Sequence, residues 1–112
     1  MLFRSWASTQ LNLANALQYL PSVHQEQNLD EAVHLYEEVL QYRDPHRDPV
    51  GYARILANQG NALGHLGVFS DARERLTQAR EMFVAAGDAD SVEGVDEVLA
   101  SLTEAESAVG GR

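Results

Sequence analysis

The chain of 112 residues contains no cysteine and no lysine. Without cysteine it can form no disulfide bond, offer no thiol nucleophile and build none of the zinc sites that depend on thiolates. All eight of its basic residues are arginines, against 17 acidic residues, and the net charge is −9. A charge of that sign and size argues against binding to a nucleic-acid backbone or to an anionic membrane surface.

Long hydrophobic runs are also missing. No run approaches the roughly 18 consecutive apolar residues that a membrane-spanning helix needs. The first residues, MLFRSWASTQLN, lack the apolar run of a secretory signal. We therefore predict no membrane partner and, given the absence of cysteine, a cytoplasmic location. Because 45% of the residues are hydrophobic, the chain can bury a core, and we expect residues 1–112 to form one domain.

No stretch alternates apolar and polar residues as a strand in a hairpin would, so we expect an all-α fold. Helical periodicity predicts five helices, at about residues 5–20, 28–43, 49–66, 69–86 and 91–107. The segments between them contain helix breakers: Pro21, the Asp-Pro steps of Arg43–Pro49, Gly67 and Gly87. Capping residues are predicted at Asn28, Asp48 and Asp90.

The predicted helices carry apolar or small residues at helical spacing, which indicates one buried face for each. On the first helix this face is Trp6, Thr9, Leu13, Ala16, Leu17 and Leu20. On the second it is Leu29, Ala32, Val33, Tyr36, Val39 and Leu40. On the fourth it is Phe69, Ala72, Leu76, Ala79 and Phe83, and on the last Val92, Val95, Val98, Leu99 and Leu102. We expect Ala72 to be almost completely buried where the fourth helix meets the third.

An internal repeat organises the chain. The segment Trp6–Leu20 matches Tyr52–Leu66 at a constant offset of 46 residues. The matching pairs are Trp6 with Tyr52, Ala7 with Ala53, Asn12 with Asn58, Asn15 with Asn61, Ala16 with Ala62, Leu17 with Leu63 and Leu20 with Leu66. A period of this size is typical of stacked helical repeats. We therefore divide the chain into repeat one (6–43), repeat two (52–86) and a terminal helix (91–107).

The segment NQGNALGHLGVFSDARERLTQA, Asn58–Ala79, resembles a tetratricopeptide repeat. The residues that carry the resemblance are Asn58, Gly60, Asn61, Ala62, Gly67, Phe69, Asp71, Ala72, Leu76 and Ala79. The earlier copy matches at Asn12, Leu13, Asn15, Ala16, Leu29, Asp30, Glu31, Ala32, Tyr36 and Val39. Ala14 and Gln59 depart from the family pattern, which has a packing glycine and a buried leucine there. The long repeats look like the arrays of bacterial multidomain signalling and protease-associated proteins.

This resemblance implies a right-handed superhelix of antiparallel helix pairs whose first helices line a concave groove. It also implies that asparagines of those helices bind the backbone of a peptide, because an amide both donates and accepts hydrogen bonds. The groove candidates are Asn12, Asn15, Tyr19, Arg54, Asn58, Asn61 and His65. The expected partner is a basic or neutral peptide or protein segment. The alternative is that some of these asparagines bond across the helix stack and hold the repeats in register.

No pattern of catalytic, cofactor-binding or metal-ligating residues occurs in the sequence. We therefore expect a non-enzymatic interaction module without cofactor. A second class remains open: a structural or oligomerisation module, or a fragment of a larger regulatory or protease-associated protein, with no ligand of its own. The seven acids between Asp88 and Glu106 make the last helix either a solvated face or a docking surface for a basic partner. Self-association as a homodimer is expected through the first helix, using Leu2, Phe3 and Trp6.

Overall fold

A computed structural model of the chain describes the backbone of residues 2–110 and the side chains from residue 6 to residue 110. Its five helices are α1 (Leu2–Tyr19), α2 (Gln25–Tyr42), α3 (Pro49–His65), α4 (Phe69–Ala86) and α5 (Ala89–Gly110). This part of the chain contains no strand, so the predicted all-α class is confirmed. Helices α3 and α4 begin where the sequence predicts, whereas α1, α2 and α5 begin two or three residues earlier.

The helix ends show which capping predictions were correct. Asp48 Oδ1 accepts from the backbone N–H of Gly51 at 3.0 Å, with Pro49 at the first helical position, as predicted. Gly67 and Gly87 adopt positive φ after α3 and α4. The prediction for Asn28 was wrong, because Gln25, Glu26 and Gln27 are good helix formers and extend α2 back to Gln25.

The residue that caps the start of α5 lies two positions before the predicted one. Asp88, rather than Asp90, accepts from the backbone N–H of Ser91 at 3.2 Å, and the hydroxyl of Ser91 donates to Asp88 Oδ2 at 2.6 Å. Asp90 lies inside the first turn of the helix. The Ser91 bonds hold the pKa of Asp88 below its usual value.

Consecutive helices pack side by side along the chain, and α3 also touches α5. The contacts between α1 and α2 show that the two helices run in opposite directions. The rings of Trp6 and Tyr42 meet edge-on with their centroids 5.5 Å apart, and Gln10, further along α1, donates to Glu38, which comes earlier on α2. The two ion pairs between α4 and α5 show the same order, since Arg73 binds Glu106 and Arg80 binds Asp96. These pairs are therefore antiparallel, as expected for helices joined by short connections.

Small residues allow α3 and α4 to approach closely. Ala72 is fully buried, as predicted, and its carbonyl oxygen would lie 3.1 Å from a Cβ atom placed on Gly60. The same Cβ would lie 2.8 Å from Leu76 Cγ, which is closer than carbon atoms pack. A side chain at position 60 would therefore force Leu76 or the two helices to shift.

The buried face of α1 differs from the prediction. Ala7, Ala14 and Gln18 are buried, while Thr9, Leu13 and Leu20 are exposed. The predicted face would be buried only if a second helix packed against α1. In the described chain α1 packs mainly on α2. Trp6, which we expect to take part in self-association, is half-buried and packs edge-on against Tyr42. The side chains of Leu2 and Phe3 lie outside the described residues.

The other predicted faces are confirmed. On α2, α4 and α5 every predicted apolar residue is buried or half-buried, including all five on α5. Tyr36 and Leu76 are among the largest side chains that are fully enclosed. One hydrophobic cluster contains residues from all five helices.

Candidate functional site

Two adjoining cavities form a groove along α3 and α5, here called the α3–α5 groove. The first has a volume of about 330 Å³ and the second about 250 Å³. They share the residues Asn61, Leu76 and Val98, so together they form one continuous depression. The floor of the first cavity is apolar and is made by Leu76, Phe83, Val95 and Val98, with Ala57 beside them. A surface of this kind accepts apolar side chains.

The structure brings five of the seven predicted site residues to this groove. Tyr19, Arg54, Asn58 and Asn61 line the first cavity, and His65 lines the second. Asn15 and Asn12 line neither cavity. The Oδ1 atom of Asn15 instead accepts from the hydroxyl of Tyr36 at 2.6 Å. Asn12 is exposed on α1, at the position equivalent to Asn58 but without a repeat before it in the described chain.

A network of amide and phenol groups connects the first three helices beside the groove. Gln18 is its centre: its Nε2 donates to the Tyr36 hydroxyl at 3.0 Å and to the backbone oxygen of Asn58 at 3.1 Å. The Oε1 of Gln18 accepts from Asn61 Nδ2 at 2.9 Å. The hydroxyl of Tyr19 donates to Asn58 Oδ1 at 3.0 Å. These bonds hold α1, α2 and α3 in register.

Sequence reasoning missed Gln18, which is buried although it is polar. A signal was present, because Ala7, Leu11, Ala14 and Gln18 follow one another at i, i+4, i+7 and i+11 on α1. A polar residue at such a spacing faces the core and requires partners there. The three partners of the Gln18 side chain come from α2 and α3, at separations that the sequence alone does not connect.

Burial changes the acidity of the two tyrosines in the network. It raises the pKa of Tyr36 to about 12, although the hydrogen bond from Gln18 partly opposes the rise and the nearby Tyr19 adds to it. Burial also raises the pKa of Tyr19, and Asn61 partly opposes that rise. Both hydroxyls therefore remain protonated and act as donors at neutral pH.

Two amide atoms on the groove make no hydrogen bond among the residues described. They are Nδ2 of Asn58, whose Oδ1 is bound to Tyr19, and Oδ1 of Asn61, whose Nδ2 is bound to Gln18. One is a donor and the other an acceptor, and they lie one helical turn apart on α3. A peptide unit also has one donor and one acceptor, so this pair matches its hydrogen-bonding groups.

The electrostatic character of the groove differs from that of the whole chain. Arg54 is among the lining residues, which include no aspartate or glutamate. Arg54 also contributes to the lowered pKa of Asp88, after the two bonds from Ser91. The net charge of −9 is thus carried outside the groove.

A second polar cluster lies between α2, α3 and α4. Gln59 is only 2% exposed, and its Nε2 donates to the backbone oxygen of Val33 at 3.2 Å and to Glu37 Oε1 at 3.0 Å. Arg75 binds the same Glu37 oxygen at 3.2 Å. The Oε1 atom of Gln59 is buried and has no partner. Gln59 therefore occupies a core position, as its place in the repeat indicates.

Comparison with known proteins gives no further assignment: no family model, curated protein or solved structure matches the chain. Among the residues that the structure describes, no three histidine, aspartate or glutamate side chains are arranged to hold a metal ion. Within the same part of the chain, no helix combines the length and apolar character needed to cross a membrane.

Proposed function

We propose that the chain is a non-enzymatic protein–protein interaction module that binds a peptide or protein segment in the α3–α5 groove. The observation that carries this proposal is the pair of uncommitted amide atoms, Asn58 Nδ2 and Asn61 Oδ1, above an apolar floor. The amides would bind the backbone of the segment, and the floor would bind its apolar side chains. Such a groove would recognise the shape and the backbone of the bound segment rather than one particular side chain.

The proposal includes a tetratricopeptide-like superhelix as the scaffold. The sequence resemblance supports it through Asn58, Gly60 and Ala72. Two structural facts support it further: the antiparallel packing of successive helices and the close contact that Gly60 allows between α3 and α4. In such a scaffold the α3–α5 groove corresponds to the concave side. We also propose a cytoplasmic location, where proteins rarely contain disulfides.

The chemistry of the groove defines the expected ligand. Its apolar floor and the lack of lining acids favour a neutral segment with one or two aliphatic or aromatic side chains. Basic residues that flank this segment would be attracted by the negative field of the chain. The affinity for such a ligand is expected to fall as salt concentration rises, because exposed charges are screened.

A peptide selection tests the proposal. A library of random linear peptides is selected against the immobilised domain, and the affinity of a selected peptide is measured for wild type and Gly94→Leu. Gly94 lines the first cavity, and a Cβ atom placed there meets no atom of another helix within 4 Å, so a leucine side chain can start from this position and occupy part of the groove. We expect the affinity to fall about 10-fold or more, which corresponds to about 1.4 kcal/mol.

Two further variants complete this test. Ala100→Leu adds the same side chain at an exposed position of α5 outside the groove and is expected to leave the affinity unchanged. Asn58→Ala removes the free donor and is expected to weaken binding. A failure to select any peptide, or equal affinities for Gly94→Leu and Ala100→Leu, would contradict the proposed function.

A further inference from the structure

The outward face of α1 is apolar and uncovered. Thr9, Leu13, Ala16 and Leu20 share this face by their spacing, and in the described chain Leu13 is 43% and Leu20 62% exposed. Leu13 and Leu20 are two of the eight large hydrophobic side chains that the described chain exposes, and a third, Val23, follows in the next loop. A concentration of this kind marks an interaction surface more often than scattered exposed residues do.

The internal repeat allows this face of α1 to be compared with the equivalent face of α3. At the offset of 46 residues its positions correspond to Ile55, Gln59, Ala62 and Leu66 of α3. Ile55, Gln59 and Ala62 are buried, and Gln59 contacts α2 through Val33 and Glu37. The same face of the equivalent helix is therefore a helix-packing surface. On α1 no helix of the described chain covers it.

The opposite end of the helix stack is different. Glu93, Glu97, Ala100 and Glu104 have the same spacing on α5 as Thr9, Leu13, Ala16 and Leu20 have on α1, and all four are exposed. Three acidic side chains on this outward face favour contact with water and oppose contact with a second acidic surface. Terminal units of repeat proteins commonly have such a polar outer face. Within the described chain, the outward face of α5 is thus mostly acidic, whereas the outward face of α1 carries no charge.

We propose that the outward face of α1 binds the same face of a second copy of the chain. Arg4 is the only charged residue in the sequence of α1, so the two α1 helices bring no acidic side chain of their own to the contact although each chain has a net charge of −9. A two-fold contact pairs each residue with its counterpart reciprocally. Ala16 lies near the crossing point, where its small side chain allows close approach, and Leu13 packs against Leu20 of the partner subunit.

Cysteine cross-linking tests this geometry, because the chain has no native cysteine. In a dimer of Ala16→Cys the two cysteines lie near the two-fold axis. Their Cα atoms are then within the separation of about 4.4–6.8 Å that a disulfide needs. Ala100→Cys is the matched control at the equivalent position of the α5 face. We expect mild oxidation to link Ala16→Cys into a dimer about 10-fold or more faster than Ala100→Cys, since association raises the effective thiol concentration.

Sedimentation equilibrium supplies the second measurement. Wild type at about 100 μM is expected to reach twice the 12.3 kDa mass of the chain, as for a dissociation constant in the micromolar range. Leu13→Glu/Leu20→Glu is expected to be monomeric with an unchanged helical circular-dichroism signal, because both positions are exposed in the single chain. A monomeric wild type would overturn the proposal. Equal cross-linking of Ala16→Cys and Ala100→Cys, or a double variant that remains dimeric, would overturn it as well.

Discussion

The hydroxyl of Tyr36 on α2 donates to Asn15 Oδ1 on α1 across 2.6 Å. The hydroxyl oxygen of Tyr36 also accepts from Gln18 Nε2, so one buried phenol joins two side chains of the neighbouring helix. Asn15 was predicted to bind a ligand, and the structure gives it a partner within the chain. Asn15 therefore contributes to the packing of α1 against α2. The ionisation of its partner Tyr36 offers a way to measure the stability of this contact.

Alkaline pH is expected to destabilise the fold through Tyr36. The folded state raises the pKa of Tyr36 to about 12 from an ordinary value of 10.0, so above pH 10 the unfolded chain loses this proton first. The stabilisation is present below pH 10 and is lost as pH rises towards 12. The chain has no lysine to titrate in this range. Urea unfolding at several pH values measures the effect.

Tyr36→Phe is the variant that isolates this contribution. Its stability is expected to fall less steeply above pH 10 than that of wild type, with a remaining slope from the raised pKa of Tyr19. At neutral pH it should be less stable by about 1 kcal/mol, because a buried hydrogen bond is removed. Tyr52→Phe serves as the control that leaves the contact intact. Identical alkaline slopes for wild type and Tyr36→Phe would show that Tyr36 does not titrate in this way.

Position 72 tests the register between α3 and α4. Ala72 has no exposed surface, so Ala72→Glu would bury a carboxylate without a partner. We expect a loss of about 3–5 kcal/mol in the free energy of unfolding. Ala85→Glu, at an exposed position of the same helix, is expected to change it by less than about 0.5 kcal/mol. Thermal melting of both variants decides the matter, and similar melting temperatures would mean that the assigned packing is wrong.

Two glycine variants are expected to change stability in opposite directions. Gly60→Ala would place a Cβ atom 2.8 Å from Leu76 Cγ, and overpacking should outweigh the gain in helix propensity by roughly 1 kcal/mol. The Cβ atom of Gly94→Ala meets no atom of another helix within 4 Å, and the variant is expected to stabilise the fold by about 0.5–1 kcal/mol. Chemical denaturation of both variants measures the difference. If Gly60→Ala proved more stable than wild type, the close approach of α3 and α4 would be incorrect.

The unpartnered oxygen of Gln59 also has a measurable cost. Gln59→Leu removes this buried acceptor, while Glu37 keeps its ion pair with Arg75. We expect the variant to be as stable as wild type or up to about 1 kcal/mol more stable. Gln59→Ala should instead lose about 1–2 kcal/mol, because it leaves a cavity. A clear destabilisation by leucine, measured by denaturation, would indicate that Oε1 has a partner such as bound water.

Local sequence patterns are enough to predict the ends of α3. Pro49 and Gly67 define α3 to within a residue, because breakers and caps act on their own segment. Leu13 shows the limit: its spacing predicts a buried face, but burial also requires a neighbour, and spacing within one helix does not reveal which neighbours exist. The partners of Gln18 were missed for the same reason, since they lie on other helices.

The groove itself was predicted in part. The repeat placed Asn58 and Asn61 on one face of one helix, and the structure adds the apolar floor and the network beside them. The environment of Asn15 could not be predicted, because its partner Tyr36 lies on another helix. Similar amides therefore have different environments in the two repeats.

The most direct test of the proposed function is an NMR titration of the side-chain amide groups with a selected peptide. Each asparagine gives a separate pair of NH₂ signals, so binding is observed at the atoms that carry the proposal. We predict that the signals of Asn58 and Asn61 shift on addition of peptide, together with backbone amides of Gly94 and Val98, while those of Asn28 do not. Unchanged Asn58 and Asn61 signals under saturating peptide would contradict peptide binding in the α3–α5 groove.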